Sequence, residues 1–207
     1  MSSNVGKILD FIPKQPDKFG FERVKKRKKG QPAVRGQLNL FTPAAQVLKL
    51  PSTVGPFEEA LLLDEREDSR AEEAYRRAIE EGDDVADAYC NLGIIMSKRG
   101  MTAKAFDCFT KSLEHNARHF ESHFNLGNLY FEAGDLRLAR VHYELAAEIE
   151  PDHAGVYFNL GLVAAITNDL TAALDSLKKY KSLASTDEGK KADDLLENLQ
   201  RSLRAQR

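Results

Sequence analysis

A chain of 207 residues with 42% hydrophobic content can bury one moderate core, and its formal net charge of −2 hides a division along the sequence. Residues 1–50 carry eleven Lys/Arg against three acids, a net of +8, whereas residues 51–85 carry four Arg against twelve acids, a net of −8. Two cysteines without a CxxC spacing exclude a disulfide framework, and no apolar run is long enough for a membrane span or a secretion signal, so a cytoplasmic location is expected.

Residues 1–51 read as a disordered basic tail. Pro13, Pro16, Pro32, Pro43 and Pro51 interrupt every short apolar run. Burial there cannot offset a backbone ordering cost of roughly 1–2 kcal/mol per residue. Two apolar islands, 38–41 and 47–50, are candidate docking segments. The cluster Lys25, Lys26, Arg27, Lys28 and Lys29 follows Phe19 and Phe21 and could contact phosphates. With no base-reading residues around it, a solvated charge run is the stronger reading.

From Pro56 the pattern is helix and short turn. One helix runs to about Arg66 and a second from Arg70 to Glu81, and later helices start near Asp84, Thr102, His119, Leu136, Ala154 and Leu170. Gly82, Gly100, Gly134 and the pair Asn168-Asp169 fall at the breaks, as stop and cap residues do. A last amphipathic stretch, about 187–204, places Leu195, Leu199 and Leu203 on one face and suits a capping helix.

The chain also repeats itself. Asn91-Leu92-Gly93 returns as Asn125-Leu126-Gly127 and Asn159-Leu160-Gly161, each 34 residues on. Ala105, Ala139 and Ala173 keep the register, as do Phe109, Tyr143 and Leu177. A 34-residue period means stacked supersecondary units. The units are 86–119, 120–153 and 154–187, with a degenerate one at 52–85 that keeps Ala71, Tyr75 and Ala78 but has Glu59 where the glycine belongs. The middle unit, with Leu126, Gly127, Tyr130, Gly134, Ala139, Tyr143, Ala146 and Pro151, closely resembles the tetratricopeptide repeat. That resemblance covers about 155 of the 207 residues. It implies an all-α, right-handed superhelix of helix-turn-helix repeats over 52–187, with a C-terminal capping helix over 188–207.

The resemblance further implies a concave groove lined by the first helix of each unit. Its register puts Ile94, Phe124, Asn128, Phe131, Phe158 and Leu162 on that face, an apolar trough of the kind that marks an interaction site. Asn91, Asn125 and Asn159 form a ladder along it; an amide carries donor and acceptor and can pair with any peptide bond. The second groove position holds Asp87, Glu121 and Gly155, which disfavours a carboxylate-gripping clamp and favours an apolar, neutral-to-basic peptide. His115, His119 and His123 are spaced by four, but a turn near Asn116 divides them, so packing is expected rather than metal ligation. No phosphate loop, HExxH or GxSxG is present. The expected function is a non-catalytic adaptor without cofactor or metal, binding a protein segment or the chain's own tail. A nucleic-acid-associated regulator using residues 25–29 is the alternative, and no membrane partner is expected.

Overall fold

The computed structural model describes residues 20–25, 54–185 and 189–205. Among them are nine α-helices and no strand. They are α1 (Pro56–Glu65), α2 (Ala71–Glu81), α3 (Val85–Lys98), α4 (Thr102–His115), α5 (Phe120–Glu132), α6 (Leu136–Ile149), α7 (Ala154–Ile166), α8 (Leu170–Leu183) and α9 (Asp193–Ala205). Consecutive helices pair as hairpins α1/α2, α3/α4, α5/α6 and α7/α8, each hairpin packs on the next, and α9 rests on α8. The apolar islands at 38–41 and 47–50 and most of the predicted tail lie outside the described residues.

Local chemistry sets the helix ends. Asp135 and Asp169 accept from the backbone N–H of Leu138 (3.0 Å) and Ala172 (3.2 Å), capping α6 and α8. Gly100 and Gly134 end the first helix of their hairpins with φ of 72° and 80°. Asn168, at the same place in the next unit, adopts φ 61°, which asparagine tolerates better than most side chains.

Each hairpin closes on a small-against-large contact. A Cβ added at Gly93 would lie 2.7 Å from the Phe109 ring, at Gly127 2.5 Å from the Tyr143 ring, and at Gly161 2.7 Å from Leu177. The partner of the repeat glycine is therefore the large residue of the second helix. The degenerate unit does without this glycine. Ala60 is fully buried there, while Glu59 turns outward to an ion pair with Arg77. Where Ser112 replaces the usual alanine, its hydroxyl donates to Ala86 O (2.7 Å) and accepts from Ser122 Oγ (2.7 Å), so a buried polar atom is satisfied.

The end piece departs from the expected face. Ala192, Leu196 and Leu199 are its buried stripe, with Leu195 only partly covered. These positions stand at i, i+4 and i+7 and so share one face that runs from the turn Lys190–Ala192 into α9. Leu199 is common to the expected and the observed face, and Leu196 takes the buried place expected of Leu195.

Candidate functional site: a groove holding an extended segment

Residues 20–25 run as non-helical backbone across the first helices of the repeats. Asn91 and Asn125 hold them with the same two-point grip. Asn125 Oδ1 accepts from Glu22 N–H (2.8 Å) and its Nδ2 donates to Glu22 O (2.8 Å). Asn91 Oδ1 accepts from Val24 N–H (3.0 Å) and its Nδ2 donates to Val24 O (3.2 Å). A step of 34 residues in the array thus matches a step of two in the segment, as an extended chain with alternating side-chain faces requires. The segment runs opposite to the repeat order, and the grip is blind to side-chain identity.

Side chains supply what the clamps do not read. Phe21 stacks on Phe109 (centroids 6.2 Å apart, planes within 15°). Glu22 meets His153 Nε2 at 3.2 Å. Arg23 Nη2 pairs with Asp64 Oδ1 at 3.0 Å. Val24 is 1% exposed and belongs to the same apolar cluster as Phe57, Leu61, Leu92 and Ile94.

The groove residues named from the sequence divide into two sets. Asn91 and Asn125 meet on the segment backbone. Asn159 Nδ2 donates to Asn128 Oδ1 (3.1 Å), which also accepts from Tyr143 OH (2.7 Å), so Asn128 ties two hairpins together. Phe124 is fully buried among Phe120, Tyr143 and His153, and is not on an open trough. Phe158 packs edge-on against Tyr180 and shares a core with Leu162, and Ile94 is likewise buried. Phe131 is half-buried between the two C-terminal clusters. Neighbouring hairpins and the segment cover this face, so its apolar residues act as core. Lys25 is exposed, while Lys26, Arg27, Lys28 and Lys29 lie outside the described residues. Sequence reasoning named the chain's own tail as an occupant but looked to 38–41 and 47–50, and it missed Asp64, His153 and the stretch 20–25.

The histidines pack. His119 is the fully buried cap of α5: Nδ1 accepts from Ser122 N–H (3.1 Å) and Nε2 faces Asp87 Oδ1 (2.8 Å). His115 stacks on Tyr89. Among the described residues no group of His, Cys, Asp and Glu could hold a metal ion. Burial pushes the Cys90 thiol up, and that of Cys108 to about 11, so neither is a ready nucleophile.

His123 Nδ1 lies 3.1 Å from His142 Nδ1, and His142 stacks on Tyr130. Burial, then the His123 neighbour, depress His142 from 6.5 to about 4, and burial lowers His123 as well. With the folded value below the unfolded one, the unfolded chain takes the proton first. This pair's stabilisation is therefore complete above about pH 6.5 and is lost as pH falls towards 4. Melts between those limits should slope downward in acid, and His142→Phe should flatten the slope. Parallel slopes for the two proteins would contradict the assignment.

Comparison with known proteins agrees with this architecture. Residues 127–165 match a TPR repeat model, and residues 108–141 a tetratricopeptide repeat model. The chain is a tetratricopeptide repeat protein. It is 30% identical over 111 residues to anaphase-promoting complex subunit 3 of Schizosaccharomyces pombe, covering 54% of this chain and 17% of that protein. It is 31% identical over 100 residues to tetratricopeptide repeat protein 8 of Mus musculus, covering 48% and 19%. It thus spans less than a fifth of these curated relatives. Two solved structures share the fold. The first TPR of Spaghetti (RPAP3), bound to the HSP90 peptide SRMEEVD, superposes with a TM-score of 0.53 at 19% identity over 57% of this chain and 92% of that one. TTC0263, a thermophilic TPR protein of Thermus thermophilus, gives 0.54 at 21% identity over 72% and 81%. No helix among the described residues is long and apolar enough to cross a membrane.

Proposed function

We propose that the array is a non-catalytic adaptor that takes an extended segment of a protein partner along the first helices of its repeats, in the place that residues 20–25 now fill. The carrying observation is the paired grip of Asn91 and Asn125, each of which satisfies both the N–H and the C=O of one residue. Such a grip suits any extended backbone. It also covers buried polar groups that would otherwise stay unpaired at a cost of about 1–3 kcal/mol each. The family's role in protein interaction is consistent with this, since one structural neighbour holds a peptide and one relative is a subunit of a complex.

On this reading the segment at residues 20–25 is an internal competitor. Tethering places it at an effective concentration of the order of millimolar, so a partner has to displace it. The test is a labelled peptide of residues 18–25 titrated into the full chain and into an Arg23→Ala/Val24→Asp variant whose own segment no longer fits. The variant should bind at least tenfold tighter, and adding Asn125→Ala should remove binding. Equal affinity for both proteins would eliminate the competitor role. Failure of the variant to bind would eliminate the adaptor role.

A further inference from the structure

The end of the groove nearest α1 contains a charged pocket that the backbone clamps do not need. Asp64, in the last turn of α1, is 8% exposed. One carboxylate oxygen accepts from Tyr75 OH at 3.1 Å, and the other meets the Arg23 guanidinium at 3.0 Å. Burial, then the carboxylate beside it, push the Tyr75 phenol up, so its hydroxyl remains a donor. Tyr75 in turn accepts from Asn91 Nδ2 (3.2 Å), the amide that also grips Val24 O. Backbone grip and charge pocket are therefore one hydrogen-bonded unit. A buried carboxylate with one oxygen satisfied internally and the other aimed into a groove needs a cation there. Arginine suits the place better than lysine, because guanidinium is weakly hydrated and keeps its charge under cover. The Arg23 side chain is 25% exposed in this position. On either side the demands are apolar: Phe21 lies on the Phe109 ring, and Val24 is buried.

Resting on the adaptor reading above, we propose that Asp64 and Tyr75 form an arginine-reading pocket. The partner is an extended segment of another protein with the pattern aromatic, any residue, arginine, β-branched residue. Phe21 to Val24 are the internal copy of that pattern. The second position is gripped through its backbone N–H and C=O by Asn125, and its side chain meets the groove edge at His153.

The full chain carrying Phe21→Ala/Val24→Asp, which weakens the internal copy, is titrated with a peptide of residues 18–25 and with the same peptide bearing Arg23→Gln. The arginine peptide should bind at least tenfold tighter. Asp64→Asn, added to the chain and checked for an unchanged melt, should bring the two affinities within about twofold of each other. Asparagine still accepts from Tyr75, so this change removes the charge while keeping the packing. Equal binding of both peptides to the Asp64 chain would overturn the pocket and leave the adaptor standing. Absence of binding by either peptide would overturn both. An unmodified chain that sediments as a dimer, and becomes monomeric with Arg23→Gln, would assign the pocket to a second copy and overturn the foreign partner.

Discussion

Gly127→Leu should lower the thermal midpoint of the chain by roughly 6–12 °C, the equivalent of about 3 kcal/mol in a domain of this size. Two effects oppose each other. Leucine is a better helix former than glycine by about 0.8–1 kcal/mol. Against that, even the first side-chain carbon would stand 2.5 Å from Tyr143 Cε1 and 2.6 Å from Cδ1. The Tyr143 ring cannot withdraw cheaply, since it is fully buried and its hydroxyl donates to Asn128. Overpacking wins, and α5 has to move away from α6. Gly127→Ala should fall between the two proteins. An unchanged midpoint for Gly127→Leu would mean that the hairpin does not close on this contact.

Asn91→Ala combined with Asn125→Ala should release the segment. Four hydrogen bonds to its backbone disappear, two at Glu22 and two at Val24. At a net value of about 0.5–1.5 kcal/mol each, their loss is worth roughly 2–6 kcal/mol. Phe21 stacking and Val24 burial remain but have to hold an extended backbone with unpaired polar groups. Trypsin cleavage after Arg23 tracks the population of the released state. A loss of about 3 kcal/mol corresponds to cleavage on the order of 100-fold faster in the double variant. Equal rates in the two proteins would show that the amides do not hold the segment.

The helices, their order and the repeat register were legible in the sequence, because a strict 34-residue recurrence of Asn, Leu and Gly fixes which residues meet within each hairpin. The pairing of Asn91 with Asn125 was legible for the same reason, since they occupy one position of consecutive units and so project along one line, whereas Asn159, expected as a third rung, donates to Asn128. Phe124 and Phe158 were misjudged. A family register describes an open face, whereas here Phe120, His153 and Tyr180 close over those rings. Which stretch of the tail lies in the groove could not be read off either. Glu22 and Asn125 are 103 residues apart, Val24 and Asn91 67, and no local periodicity links a stretch flanked by prolines and lysines to a helical array. The islands at 38–41 and 47–50 are richer in apolar residues than 20–25, whose apolar members are only Phe21 and Val24. Asp64 was one acid among twelve in a strongly negative stretch, and nothing in its sequence neighbourhood marks it as buried.

Amide hydrogen exchange at Glu22 and Val24 is the most direct measurement of the central claim, that the asparagine ladder grips an extended backbone. Their N–H groups donate to Asn125 Oδ1 and Asn91 Oδ1, with Val24 buried as well. Both amides should exchange at least tenfold slower than in a free peptide of residues 18–25, and Asn91→Ala/Asn125→Ala should restore the peptide rate. Exchange of Glu22 and Val24 at the free-peptide rate in the unmodified chain would contradict the account.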